Sequence, residues 1–264
     1  MINFILPYCF NNYNNNQKLL NDCNNCFYGV EGNIPFQIFT GRVNNNKDSR
    51  FLSYYDILDQ VKAYNEISNN LMLIDFGNSS LEPSDYYDSY GEVILEEYAD
   101  KKHVFFEVAD ENFIEYLVDR YPNIQIVLHE NYTIFHSEKD IKALIKKFPN
   151  NIKGINITVL NLCENIDIQK FGILNLDSCY YCPQFPLCLK NEHKNVFRYR
   201  EASSFNDCTR KQRITLESAL NNLKILLKYT NEIICVNLAY AQIVEYMELI
   251  EEILKKELEG ALEE

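Results

Sequence analysis

The sequence lacks the features that mark membrane and secreted proteins. No apolar run approaches the roughly 20 residues that a membrane-spanning helix needs. The first segment, MINFILPYCFNNYNNNQ, has neither the basic flank nor the small-residue cleavage site of a signal peptide. We therefore expect a cytoplasmic protein that does not enter a membrane.

Phosphate-binding motifs and positive charge are also scarce. The chain contains no GxGxxG after a first strand and no GxxxxGK[ST], so it gives no signal for binding a dinucleotide or a nucleoside triphosphate. Its 25 basic residues stand against 38 acidic ones, which gives a net charge of -13. This charge argues against an extended nucleic-acid surface, although a local basic strip such as FRYREASSFNDCTRKQR could hold an anion.

The chain does have a regular alternation of short apolar runs and longer segments of helical period, which predicts parallel strands joined by crossover helices. The predicted strands span residues 2–8, 35–41, 71–78, 103–110, 124–131, 152–159, 171–178 and 232–239. The predicted helices span residues 53–68, 84–99, 110–121, 137–148, 213–228 and 240–258. This α/β pattern favours a closed (β/α)8 barrel, the TIM-like fold, over an open doubly wound sheet.

Two segments depart from the alternation. Residues 179–212 form a stretch of about 34 residues with little periodicity, which in a compact domain indicates a functional or metal-binding loop. We predict one barrel domain over residues 1–240 that includes this loop. Residues 240–264 are predicted to form an acidic amphipathic helix and a tail, a surface that could dock on a partner protein.

Polar side chains are predicted to gather at the carboxyl ends of the strands, where such barrels have their active sites. His129 and Glu130 are the best acid/base pair by chemistry, but adjacent strand residues face opposite sides, so only one can point to the barrel axis. We predict that His129, Glu130 and Glu107 handle protons. The predicted substrate-binding residues are Asp75, Asn78, Asn131, Asn156, Arg198 and Arg200, the arginines serving an anionic group. The alternative is that strand ends are polar only because solvation and helix caps begin there.

Nine cysteines in a reducing compartment indicate metal binding or buried thiols rather than disulfides. Cys179, Cys182 and Cys188 have the spacing C-x2-C-x5-C, and Cys208 follows them. Thiolates in this arrangement can converge on zinc or on an iron-sulfur cluster. Because structural zinc sites usually pair two C-x2-C knuckles, the pattern suits a cluster better, with zinc and free thiols as alternatives. His193 is an alternative ligand.

A second cysteine pair, Cys23 and Cys26, lies far upstream. It could supply the missing knuckle of a zinc site, or form a second metal site or a redox pair. The CxxxCxxC motif of radical S-adenosylmethionine enzymes is absent from the same region.

Three segments carry a resemblance to a known family: FYGVEGNIPFQIFTGR, IQIVLHENYTIFHSEKDIKAL and ILNLDSCYYCPQFPLCLKNEH. Together they resemble the collagenase-like peptidases, the U-thirty-two peptidase family, and the related radical S-adenosylmethionine-like barrels. The resemblance implies a (β/α)8 barrel with a 4Fe-4S cluster and oxygen-independent hydroxylation of RNA bases or quinone precursors. The ligands that it implies are Cys179, Cys182, Cys188 and Cys208. The chain departs from the family in its length and in the tight spacing of the first two cysteines.

The leading interpretation is an iron-sulfur barrel that carries out redox modification, of the hydroxylation type, on a small molecule, nucleobase or peptide. One alternative is a non-catalytic barrel whose metal only fixes a loop and which binds a partner protein. Another is a relative of peptide-modifying radical enzymes, whose auxiliary-cluster segment the C-x2-C-x5-C triplet resembles. A third is a hydrolase that uses His129 and Glu130 without a metal.

Overall fold

The structure is a computed structural model that describes residues 2–6, 29–32, 39, 54–67, 71–129, 132–133, 136–158, 173–177 and 233–237. No helix within these ranges combines the length and the apolar composition needed to cross a bilayer. The predicted helices at 213–228 and 240–258 lie outside the described residues, as do the loop at 179–212 and the tail.

The sheet consists of parallel strands. They are β1 (Ile2–Leu6), β2 (Gly29–Gly32), β3 (Leu71–Phe76), β4 (Val104–Val108), β5 (Ile126–Leu128), β6 (Ile152–Thr158), β7 (Ile173–Asp177) and β8 (Ile233–Asn237). Each strand pairs in parallel with the next, and β1 pairs with β8 as well as with β2. The predicted α/β class with a parallel sheet is therefore confirmed.

Among the described residues, four α-helices lie between the strands, and polar caps set where three of them begin. They are α1 (Tyr54–Ile67), α2 (Ser89–Tyr98), α3 (Glu111–Arg120) and α4 (Glu138–Lys147), and a 3-10 helix (Pro83–Tyr87) precedes α2. The side chains of Asp88, Asp110 and Ser137 each accept a hydrogen bond from the backbone N–H three residues ahead. These caps satisfy N–H groups that the first helical turn leaves open.

Two predicted elements differ from the structure. The second strand is Gly29–Gly32 rather than 35–41, where Phe39 alone is described and lies in a 3-10 turn. A side chain at Gly29 would overlap the carbonyl of Leu71, so this strand needs glycine and has no apolar run to reveal it. The predicted helix at 84–99 is divided because Asp88 has an extended backbone and caps α2.

Neighbouring residues of β3 to β6 face opposite sides of the sheet, as the two-residue period of a strand requires. On the helix-covered face, residues such as Met72, Ile74 and Phe106 pack with α2, α3 and α4 in one large apolar cluster. On the opposite face, a separate buried cluster consists of Leu71, Leu73, Phe105 and Val127. Every residue of β3, β4 and β5 is buried, so these strands are covered on both faces.

Candidate metal centre

Three ionisable side chains meet at the carboxyl ends of β3, β4 and β5. They belong to Asp75, Glu107 and His129, and one ligand atom of each lies within 4.8 Å of the others. Their exposed fractions are 3%, 0% and 1%. The three residues therefore form one buried cluster, named the triad below.

Strand register puts the triad on the face of the sheet that lies opposite the helices. Asp75 and Glu107 are partners in the β3–β4 ladder, and Glu107 is the partner of Val127 in β5. Paired residues of parallel strands face the same side, and His129 lies two residues beyond Val127, so its side chain returns to that face. The triad thus continues the small apolar cluster by one step toward the carboxyl ends of the strands.

Gly77 brings the backbone close to the triad. Its backbone N–H donates to Oδ1 of Asp75 at 2.8 Å, which fixes this carboxylate. A Cβ atom at position 77 would lie 2.5 Å from Nε2 of His129 and 2.7 Å from Oδ1 of Asp75. A side chain there would force His129 or Asp75 to shift, so glycine lets the backbone approach two of the three ligand atoms closely.

Glu107 is held by a residue of the next strand but one. The Nδ2 atom of Asn156, in β6, donates to Oε1 of Glu107 at 3.2 Å, and both side chains are buried. Asn156 lies two residues beyond Gly154, the partner of Val127, so it faces the same side as the triad. A fourth polar side chain therefore joins the cluster.

His129 is held through its backbone. Its N–H donates to the carbonyl of Val108 at 3.0 Å, and its carbonyl accepts from the N–H groups of Tyr132 at 2.9 Å and Thr133 at 3.2 Å. The hydroxyl of Thr133 donates to the carbonyl of Asn156 at 2.9 Å. The segment that follows β5 is therefore bonded to the end of β5 and to β6.

The triad places two carboxylates and one imidazole where water is largely excluded. Such a group is costly to bury unless a cation or a shared proton offsets its charge. Two carboxylate oxygens and one imidazole nitrogen suit Mn²⁺, Fe²⁺ or Zn²⁺. Ligand atoms at about 2.1 Å from one ion lie no more than about 4.2 Å apart. Since the triad atoms are within 4.8 Å of one another, only small side-chain movements would let them share an ion.

The structure brings four of the predicted site residues together. One cluster contains Asp75, Glu107, His129 and Asn156. The sequence predicts these residues in separate roles, as acid/base or substrate-binding groups, and does not predict them as metal ligands. Asn78 is buried in the turn after β3, where its Oδ1 accepts from the N–H of Ser80 at 3.1 Å. Its predicted contact with substrate stays a prediction.

The remaining predicted site residues lie outside the described residues, and their roles stay predictions. They are Glu130, Asn131, Arg198, Arg200, Cys179, Cys182, Cys188 and Cys208, together with His193, Cys23 and Cys26. Sequence reasoning missed Gly77 and Thr133. The only signal for Gly77 was a glycine two residues after a strand-end aspartate, and the sequence carries no comparable signal for Thr133.

A groove of about 330 Å³ lies between α3 and α4, on the helix side of the sheet. Its lining residues are Glu111, Tyr132, His136, Asp140, Ala143, Leu144 and Lys147. The rings of Tyr132 and His136 stack with centroids 3.9 Å apart. Burial, reinforced by the negative charges of Glu111 and Asp140, raises the pKa of Tyr132 to about 12. No residue of the triad lines this groove, so it is distinct from the candidate metal centre.

The family resemblance rests on three sequence segments, of which the cysteine-rich one is the most specific. Its cysteines lie outside the described residues, so the resemblance stays a prediction. No protein-family model, no curated protein and no solved structure matches the chain.

Proposed function

We propose that this protein is a metal-dependent enzyme whose active site is built around a divalent transition-metal ion held by Asp75, Glu107 and His129. The observation that carries the proposal is the convergence of three buried ligand atoms within 4.8 Å of one another. The donor set favours Mn²⁺, Fe²⁺ or Zn²⁺ over Ca²⁺, which takes oxygen ligands alone.

We also propose that the parallel sheet is a (β/α)8 barrel in the cytoplasm. The pairing of β1 with both β2 and β8 supports closure. The apolar cluster of Leu71, Leu73, Phe105 and Val127 would then be part of the packed barrel interior. The triad follows this cluster at the carboxyl ends of the strands, the end at which barrels of this class have their active sites.

Gly77 lets the backbone approach the triad closely. A Cβ atom at position 77 would meet both His129 Nε2 and Asp75 Oδ1, so a larger residue would displace two of the three proposed ligands. The backbone N–H of Gly77 also donates to Oδ1 of Asp75 at 2.8 Å and so orients that carboxylate. Glycine at this position therefore supports the ligand geometry that the proposal requires.

The surrounding residues prepare the site for chemistry on an oxygen-bearing substrate. A bound divalent ion would act as a Lewis acid on a substrate oxygen. Asn156 holds one oxygen of Glu107, and this orients the carboxylate. Glu130 and Asn131 directly follow His129 in the sequence, and we propose that Glu130 handles protons and that Asn131 contacts the substrate. Arg198 or Arg200 would bind an anionic group of the substrate.

Metal titration tests the proposal. Apo protein is titrated with Mn²⁺ by isothermal calorimetry, because Mn²⁺ favours carboxylate oxygens over thiolates and so avoids the cysteines. We expect one ion per wild-type chain and at least about tenfold weaker binding in Glu107→Gln. Glu96→Gln is the matched control, since it makes the same change on an exposed carboxylate, and we expect wild-type binding there. Wild-type protein that binds no Mn²⁺, or Glu107→Gln that binds it equally well, would overturn the proposal.

We propose in addition that Cys179, Cys182, Cys188 and Cys208 hold an iron-sulfur cluster that serves redox modification of the substrate. Strand β7 runs parallel to β3 and β4 and ends at Asp177, two residues before Cys179. This supports a cysteine segment that starts from the same end of the sheet as the triad. The substrate would be a small molecule, a nucleobase or a peptide.

Anaerobic purification followed by iron, sulfide and zinc analysis tests the cluster. A brown protein whose sulfide and cluster iron are lost in Cys182→Ala is the expected result. Zinc without sulfide, lost in Cys182→Ala but retained in Glu107→Gln, would indicate a metal that only fixes the loop. A protein without sulfide whose metal content is unchanged in Cys182→Ala would indicate free thiols. Each of these two results would overturn the cluster proposal and leave the triad proposal standing.

A further inference from the structure

Thr133, four residues after His129 in the sequence, is hydrogen-bonded to the end of β5. The N–H groups of Tyr132 and Thr133 both donate to the carbonyl of His129, at 2.9 and 3.2 Å. A carbonyl that accepts two backbone hydrogen bonds fixes the turn that provides them. The position of Thr133 is therefore tied to that of His129.

The side chain of Thr133 connects this turn to the neighbouring strand. Thr133 is buried, and its hydroxyl donates to the carbonyl of Asn156 at 2.9 Å. Asn156 in turn donates through Nδ2 to Oε1 of Glu107 at 3.2 Å. One series of hydrogen bonds thus links His129 to Glu107 through Thr133 and Asn156.

This link lies where strand pairing ends. The last paired residues of β5 and β6 are Leu128 and Ile155, and the register of this ladder is already irregular between Ile126 and Val127. In the sequence, His129 directly follows Leu128 and Asn156 directly follows Ile155. Beyond the ladder, the hydrogen bond from the Thr133 hydroxyl to the carbonyl of Asn156 joins the two segments.

We propose that Thr133 is a positioning residue of the metal centre, which sets the separation of His129 from Glu107 without touching the ion. This inference rests on the proposed function. Groups that orient metal ligands typically change metal affinity by about 10- to 100-fold when they are removed. Thr133 acts on two ligands at once, on His129 through the backbone and on Glu107 through Asn156.

Two substitutions separate the hydroxyl from the shape of the side chain. Thr133→Val replaces the hydroxyl with a methyl group, and Thr133→Ser keeps the hydroxyl. We expect Mn²⁺ binding to be about tenfold weaker in the Val variant, with an altered electron paramagnetic resonance spectrum of the bound ion. The Ser variant should restore both to near wild type. Ser137→Ala is the control, because it removes a hydroxyl that caps α4 and should lower thermal stability without changing either metal readout.

The outcomes distinguish this inference from the proposed function. If Thr133→Val has the affinity and spectrum of the wild type, the proposed role of Thr133 is overturned. Binding of Mn²⁺ by the wild-type protein would still support the triad. A Ser variant as weak as the Val variant would also overturn the role of Thr133, because the hydroxyl would then not be the cause. Wild-type protein that binds no Mn²⁺ would overturn both proposals. If Thr133→Val does not fold, Thr133→Ala is measured against Thr133→Ser with the same expectations.

Discussion

The Nε2 atom of His129 lies 3.5 Å from Oδ1 of Asp75, although the strands β5 and β3 that lead to these residues are separated by β4. Adjacent strands lie about 4.8 Å apart, so the two backbones are separated by two such steps. The side chains must therefore lean toward each other across β4. A concave surface favours this convergence, and Glu107 of β4 lies at its centre.

Gly77→Ala is expected to weaken Mn²⁺ binding by at least about tenfold, because the new methyl group would lie 2.5 Å from Nε2 of His129. Isothermal calorimetry measures the affinity. Circular dichroism of the variant shows whether the fold is retained. A folded Gly77→Ala protein with wild-type affinity would mean that the triad can hold the ion without the close backbone approach at this glycine.

Gly91→Ala is expected to lower stability without affecting the metal. Its methyl group would overlap the ring of Phe39, which is buried and packs against Phe76 and Phe113 with centroids 5.0 and 4.6 Å away. Overpacking costs about 1 to 3 kcal/mol, and replacing glycine within helix α2 recovers up to about 1 kcal/mol. Urea unfolding should show a net loss of about 1 kcal/mol. An increase in stability would show that the ring of Phe39 can move aside at little cost in free energy.

Metal binding is expected to stabilise the protein by mass action. At a free Mn²⁺ concentration of about 100 times Kd, the free energy of unfolding should rise by about 2.7 kcal/mol. Thermal melts with and without Mn²⁺ measure this rise. The increase should disappear in Asp75→Asn and persist in Glu96→Gln. An equal increase in both variants would place the stabilising ion elsewhere.

His103 is expected to make stability depend on pH. Burial, and then the positive charge of Lys101, lower the pKa of His103 below 6.5, while its Nε2 donates to Oδ1 of Asn65 at 2.7 Å. The unfolded chain therefore binds the proton more readily than the folded one. Neutral His103 therefore contributes its full share to the free energy of unfolding above about pH 6.5. This share is lost as the pH falls through the pKa of His103 in the folded protein.

Substitution of His103 tests this dependence. His103→Gln removes the titrating group and retains a donor for Asn65. Urea midpoints measured between about pH 7 and pH 5 should therefore fall less in the variant than in wild type. Parallel pH profiles would show that His103 makes no such contribution.

The sequence was sufficient to predict the parallel α/β class and the polar strand ends, but not the triad as a unit. Apolar runs identified β3 to β6, and segments of helical period identified α2 to α4, because each signal is local. Whether Asp75 faces Glu107, and whether His129 joins them, depends on strand register, which a single sequence does not specify. Gly77 and Thr133 act through neighbours brought near by the fold, so their roles were not visible in the chain.

The most direct test of the metal centre is anomalous diffraction from crystals grown with Mn²⁺. We predict a strong anomalous peak at about 2.0 to 2.4 Å from ligand atoms of Asp75, Glu107 and His129, and its absence from crystals of Glu107→Gln. A map without a peak between these three side chains, from protein crystallised at saturating Mn²⁺, would contradict the account.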